Sequence, residues 1–297
     1  MHLLSTVAQE QGRVQDVLIR LSPGVDAHTH SKITTGILDS KFGISIETGD
    51  AEKVVREILC TPGVNLVGIH SHLGSQMFEL EPFSIAIDTI LTFASKLVAE
   101  GLDLKEFSTG GGFAIGYQSD QIPLPVSAYA EVITTAVKSR SADLGLLEPT
   151  LVIEPGRAIV GRAGVALYTV GSTKQIPNVR KYVSLDGGMG DNIRPALYDS
   201  RYEAVVANRI SGRPAEVVTL AGKYCESGDV LVQDIALPVL NSGDVIAIPA
   251  SGAYAVAMSN NYNLNPKPAI VMVRDGKHTL IRRRETYSDM MMLDVSD

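Results

Sequence analysis

Three consecutive glycines, Gly110 to Gly112, close the apolar run in LKEFSTGGGF. Glycine at a strand end admits positive φ and lets backbone N–H groups approach a ligand closely, which is what a bound phosphate needs. A plain turn would use the same residues. Other side chains able to do chemistry stand at comparable places, where apolar runs stop. His28 and His30 come after Ser22-Pro23-Gly24; His70, His72, Gly74, Ser75 and Gln76 follow a second run, and Glu154-Pro155-Gly156-Arg157 a fourth. Each group has a modest reading: loop histidines, a metal pair at alternate strand positions for His70 and His72, an ion pair between Glu154 and Arg157. No further Cys or His stands at zinc-finger spacing, so a metal is not expected.

The hydrophobic pattern supplies elements that could position these groups. MHLLSTVAQEQG reads as the end of a helix stopped at Gly12. Asp16–Leu21, Asn65–Ser71, Leu104–Ser108 and Thr150–Glu154 are short, nearly continuous apolar runs, the pattern of strands buried on both faces. A polar loop, HTHSKITTGILDSKFGI, follows the first run. Helical patterns lie near Asp50–Cys60, over Glu79–Glu100 with Gly101 as a stop, and over Val126–Leu144. Four strands alternating with helices predict βα units on a parallel sheet, whose ligands bind beyond the carboxyl ends of the strands. From about Gly164 the texture changes to short alternating runs: Val165–Gly171, Tyr182–Leu185, Glu216–Leu220, Val230–Asp234, Asp244–Ile248 and Ala269–Val273. These predict an antiparallel β-barrel or sandwich. The expected division is an α/β domain over residues 1–163 and a β domain over 164–297.

The net charge of −7 opposes nucleic acid as a main partner. Arg282-Arg283-Arg284 beside Glu285 reads as a solvated or interface face. Two cysteines, Cys60 and Cys225, make no disulfide framework, and no apolar run reaches membrane length. The N-terminus carries no basic-then-apolar leader, so a cytoplasmic location is expected. Taken together, the strand ends offer imidazoles, a hydroxyl, a glycine run, a carboxylate and a guanidinium. A cofactor phosphate would rest on the glycines and Ser75, an imidazole would stack on its ring, and a carboxylate would keep a ring nitrogen protonated. That set of parts describes pyridoxal phosphate, an electron sink for a carbanion.

The motifs SPGVDAHTH, SKFGI, IHSHLGSQ, GGGFAI, EPGRAIVG, SLDGGMGDNIRPALYDSRYEA, CESGD and SGAYAVAMSNNYN run in order through nearly the whole chain. They closely resemble those of the diaminopimelate decarboxylase family, of the alanine-racemase-like, type III pyridoxal phosphate fold. The resemblance implies the C-terminal half of a (β/α)8 TIM-like barrel followed by the β domain. It implies decarboxylation of meso-2,6-diaminopimelate to L-lysine and CO2, a lysine-biosynthetic lyase reaction, in a homodimer whose subunits share active sites. It makes His72 the stacking imidazole and puts Ser75, Gly110, Gly111, Gly112 and Tyr254 at the phosphate, with Glu154, Gly156 and Arg157 also at the cofactor. Arg157, Arg194, Tyr198 and Tyr254 are implied at the substrate, with Glu226 on its distal ammonium and Cys225 as proton donor from the partner subunit.

The family's cofactor lysine lies in an alanine-x-lysine-alanine-asparagine type stretch at the end of the first barrel strand, and these 297 residues contain none. Residue 1 matches a helix after the fourth barrel strand. The expectation is therefore an N-terminally truncated sequence, inactive by itself, in which Lys32, Lys41 and Lys223 end no buried strand. Alternatives are an enzyme completed by another polypeptide, a decarboxylase of another basic amino acid such as ornithine or arginine, and a noncatalytic binding or regulatory partner.

Overall fold

The computed structural model describes residues 1–25, 41–209 and 212–295; His28, His30 and Lys32 lie outside them. The chain packs as two units, one of residues 1–115 and 122–158, the other of 116–121 and 159–297.

In the first unit α1 (His2–Glu10) ends before Gly12, and β1 (Gln15–Ser22), β2 (Ile44–Ser45), α2 (Asp50–Leu59), β3 (Val64–His70), α3 (Glu81–Val98), β4 (Glu106–Ser108), α4 (Val126–Asp143), β5 (Thr150–Val152) and the start of α5 (Gly156–Val160) follow. The strands form one parallel sheet in the order β2-β1-β3-β4-β5. The sheet thus has five strands and not the four expected. Ile44 and Ser45 sit at the end of the polar loop and pair with Leu21 and Ser22. A two-residue strand carries no periodicity of its own, and its order comes from the β1 edge.

Helix α3 carries Pro82 in its first turn, where a fixed φ and a missing N–H are suited. Phe83, Ala86, Ile87, Ile90, Leu91, Ala94 and Leu97 line its buried stripe at helical spacing. They join Ile69 of β3 and Phe107 of β4, both fully buried, in one apolar core. Burying a side chain of that size stabilises the fold by about 1.5–3 kcal/mol. Phe83, Phe113 and Tyr129 pack ring against ring with centroids 5.1–6.0 Å apart. Tyr129 also donates its hydroxyl to Met77 O at 2.7 Å, so the core of α4 reaches the loop after β3.

The second unit holds β6 (Ala166–Ile176), β7 (Arg180–Leu185), α6 (Arg194–Tyr198), β8 (Val205–Val206), β9 (Glu216–Ala221), β10 (Val230–Leu237), β11 (Val245–Ile248), β12 (Ile270–Arg274), β13 (Lys277–Arg282) and α7 (Tyr287–Met290). Its main sheet has the order β10-β9-β7-β6-β11-β8, with β12 and β13 as a separate ribbon. The pairs are antiparallel apart from β7 and β9, which run parallel. Among the described residues no helix is long and apolar enough to cross a membrane.

Candidate active site

The loops after β3 and β4 are sewn together at the carboxyl edge of the parallel sheet. Met77 N donates to Gly112 O at 2.9 Å and Glu154 N to Gly110 O at 2.8 Å. The Gln76 amide exchanges two hydrogen bonds with Ile115, Nε2 to O and N to Oε1, both 2.9 Å. The glycine run is required by close approach. A Cβ on Gly111 would lie 2.1 Å from Glu154 O, and one on Gly112 (φ 91°) 2.1 Å from Gly74 O. Two of the loop's amides are spent inside the protein: Gly110 N–H on Ser108 Oγ and Gly111 N–H on His72 Nδ1, each at 3.2 Å. The second bond fixes His72 with its proton on Nε2.

Glu154 is 53% exposed, and its Oε1 accepts from His70 Nε2 at 3.0 Å and from Ser108 Oγ at 3.4 Å. Burial holds the His70 imidazole below its ordinary pKa, the attraction of Glu154 is the next largest influence and opposes that shift, and the nearby Arg20 adds to it. His70 is therefore neutral near pH 7 and donates an ordinary hydrogen bond. The His72 imidazole is also pushed down, first by burial and then by Arg20 and His70. Arg157, 8% exposed, donates from Nη2 to Ser75 Oγ at 2.9 Å. Gly156 is exposed at the start of α5.

The two depressed imidazoles give the chain an acid limit. Below the ordinary value of 6.5, an unfolded chain takes up protons that His70 and His72 refuse in the fold. Stability present above that pH is lost as the pH falls through the folded values. The urea midpoint is expected to drop between about pH 7.5 and about pH 5, and the drop to shrink in His70→Asn/His72→Asn. An unchanged pH dependence in the double variant would remove these histidines as its source.

In the second unit Arg194, 6% exposed, lies 4.7 Å from the Tyr117 ring centroid and 5.6 Å from that of Tyr202, and donates from Nη1 to the Tyr202 hydroxyl. The two rings meet edge to face at 5.2 Å. No carboxylate of the described residues forms an ion pair with Arg194. Tyr198 ends α6, half-buried. Cys225 and Glu226 are exposed; Asn263 Nδ2 donates to Cys225 Sγ at 3.4 Å, and the Tyr262 hydroxyl donates to Glu226. Tyr254, 44% exposed, has a left-handed backbone at φ 59°. The residue patterns single out none of Arg20, Tyr117, Tyr202, Tyr262 and Asn263. A lone arginine in an apolar strand is the available signal for Arg20, and Tyr202, Tyr262 and Asn263 stand inside the quoted motifs; Tyr117 is an ordinary loop residue until the fold pairs it.

Residues 1–161 match the family model described as pyridoxal-dependent decarboxylase, pyridoxal binding domain. A diaminopimelate decarboxylase of Bacillus subtilis strain 168 is 46% identical over 298 residues, covering 99% of this chain and 67% of that protein. Among solved structures, diaminopimelate decarboxylase from M. jannaschii in co-complex with L-lysine superposes with a TM-score of 0.91 at 36% identity, covering 99% of this chain and 67% of that one. The Helicobacter pylori enzyme complexed with L-lysine gives 0.87 at 33% identity, with 98% and 69% covered. The chain thus spans about two thirds of the length of these relatives, an α/β unit and a β unit of a type III pyridoxal phosphate decarboxylase. On this likeness and on the strand-end chemistry, the chain belongs to the pyridoxal-dependent decarboxylases, within the diaminopimelate decarboxylase family.

Proposed function

We propose that this chain serves the pyridoxal-phosphate-dependent decarboxylation of meso-diaminopimelate to L-lysine and CO2. The observation that carries the substrate choice is Arg194, a buried guanidinium clamped by two tyrosines and given no carboxylate by the described residues. A buried arginine calls for an anion, and its fork suits a carboxylate. Diaminopimelate has a second carboxylate at its far end; ornithine and arginine have none.

The donor set of the first unit fits the cofactor. A phosphate suits the Ser75 hydroxyl, which the Arg157 guanidinium holds at 2.9 Å, and the tightly packed Gly110–Gly112 backbone. A neutral His72, oriented by Gly111 N–H, suits the face of an aromatic ring. Glu154, steered by His70, suits a protonated ring nitrogen. When bound, the group supplies an electron sink for the carbanion left as CO2 departs. Arg157 holds the reacting end of the substrate, Arg194 and Tyr198 take the distal carboxylate, Glu226 takes the distal ammonium, and Cys225 delivers the proton to the α-carbon. Tyr254 lends its hydroxyl to the phosphate. Cys225 reaches in from the partner copy of a cytoplasmic homodimer. The parallel sheet is read as the C-terminal half of a TIM-like barrel, and the second unit as its β-barrel companion.

A stable probe tests this without requiring turnover: the reduced secondary amine joining phosphopyridoxal to an amino acid. Titration calorimetry is expected to give the diaminopimelate adduct an affinity at least about tenfold above that of the ornithine adduct, since one charged hydrogen bond contributes about 1.5–3 kcal/mol. An ornithine adduct bound as tightly would overturn the substrate assignment.

A further inference from the structure

The loop that carries Cys225 and Glu226 is closed at its base by one residue. Gly222 N donates to Asp229 O at 2.8 Å and Asp229 N to Glu226 O at 3.0 Å, so GKYCESGD folds back on itself. The side chain of Asp229, 3% exposed, does more. Its Oδ2 accepts from Tyr224 N at 2.9 Å, inside the loop, and its Oδ1 accepts from Met189 N at 2.7 Å, in the neighbouring loop after β7. Lys223 N donates to Gly187 O at 3.0 Å, a second stitch between the same two loops. The fit leaves no slack: a Cβ on Gly222 would stand 2.1 Å from Asp229 Oδ2, and one on Gly190 2.2 Å from the Tyr224 hydroxyl. Cys225 is the residue after Tyr224, so the direction of its thiol follows from the Tyr224 amide.

We propose that Asp229 is a positioning residue that aims Cys225 and Glu226 by holding the Tyr224 and Met189 amides with its two carboxylate oxygens. The carboxylate is the one side chain of this length that accepts at both ends. Asparagine keeps the size but sets an NH2 against one of the two N–H donors, and the clasp opens on that side. Burial raises the Asp229 pKa, and the two backbone donors and Lys223 work against that rise. The reading rests on Cys225 and Glu226 serving the substrate, which adduct calorimetry of Glu226→Gln addresses separately. The following test concerns geometry alone.

Alkylation of the chain by iodoacetamide, followed peptide by peptide with mass spectrometry, reads both thiols at once, and Cys60 in the other unit reports any general loosening. The limiting rate at high pH reports access to the thiol, whose titratable neighbours include Tyr262 and, next in sequence, Glu226. D229N is expected to raise the limiting rate at Cys225 at least about threefold and leave Cys60 unchanged. D191N is the control, because Asp191 is a similarly enclosed acid that accepts from Gly188 N at 3.0 Å within the β7 loop. It is expected to leave Cys225 within about 1.5-fold of the parent. A D229N rate equal to the parent's, or a D191N rate equal to that of D229N, overturns the proposal. Should D229N fail to fold, hydrogen exchange of the unaltered chain decides. The Met189 and Tyr224 amides are expected to exchange within about threefold of each other, as groups released by one opening, and a difference beyond about tenfold overturns the clasp.

Discussion

Replacing Arg157 by methionine is expected to lower the affinity for the phosphopyridoxyl–diaminopimelate adduct about three hundredfold, with little loss of fold. Arg157 enters through EPGR, where β5 gives way to α5, and its guanidinium is buried against Ser75 Oγ. Methionine keeps an unbranched apolar stem of similar bulk, so packing is retained while the charge goes. Removing one partner of a buried, hydrogen-bonded charge pair costs about 2–5 kcal/mol in binding, and each 1.4 kcal/mol is a factor of about ten. The middle of that range is the expected result. Ser75→Ala, which deletes a neutral hydroxyl, is expected to cost about tenfold. Arg157→Lys restores only part of the loss, because an ammonium is a point charge and cannot serve Ser75 and an anion with one rigid fork. Calorimetry with the adduct measures all three. An R157M affinity within threefold of the parent would take Arg157 out of the binding site.

The order of these effects depends on contacts that the sequence exposes unequally. The ends of β1, β3, β4 and β5 are legible because each is a nearly continuous apolar run closed by Gly, Pro or Ser, and burial on both faces leaves no other pattern. Ile44–Ser45 is illegible, since its pairing energy belongs to Leu21 and Ser22. The parallel pairing of β7 with β9 is also hidden, because alternation fixes which face is buried and says nothing of direction. At the site, the residue types are legible and their partners are not. His70 and His72 read as a pair sharing one strand face; in the fold His70 serves Glu154, 84 residues on, and His72 serves Gly111. Glu154 and Arg157 read as a candidate ion pair, but the fold joins the first to His70 and the second to Ser75. Asp229 stands in the sequence only as the last letter of CESGD, and its reach to Met189 exists only once β7 and β9 lie side by side. Sheet pairing between distant segments decides each of these partners, and no local pattern encodes it.

Arg194→Met is expected to erase the preference for a substrate with two carboxylates while leaving the unit as stable as before, or more so. A buried arginine with aromatic neighbours and no carboxylate partner among the described residues costs desolvation that its one hydroxyl contact offsets only in part. If Arg194 were there for stability, methionine would lower the melting temperature. If it waits for an anion, methionine relieves the unfolded-to-folded desolvation cost and removes a binding partner, so stability and affinity move in opposite directions. The diaminopimelate adduct is expected to lose about a hundredfold in affinity, the upper end of what a charge-assisted hydrogen bond contributes. The L-lysine adduct, which lacks the distal carboxylate, is expected to change less than about threefold. Tyr202→Phe removes the hydroxyl that accepts from Nη1 but keeps the ring, so the guanidinium stays buried and loses its aim. Its expected loss is about tenfold, again confined to the diaminopimelate adduct. Calorimetry of both adducts beside thermal melts of the ligand-free chain separates the two accounts. Equal losses for the two adducts, or a lowered melting temperature without any change in preference, would make Arg194 a structural residue and return the choice of substrate to another part of the chain.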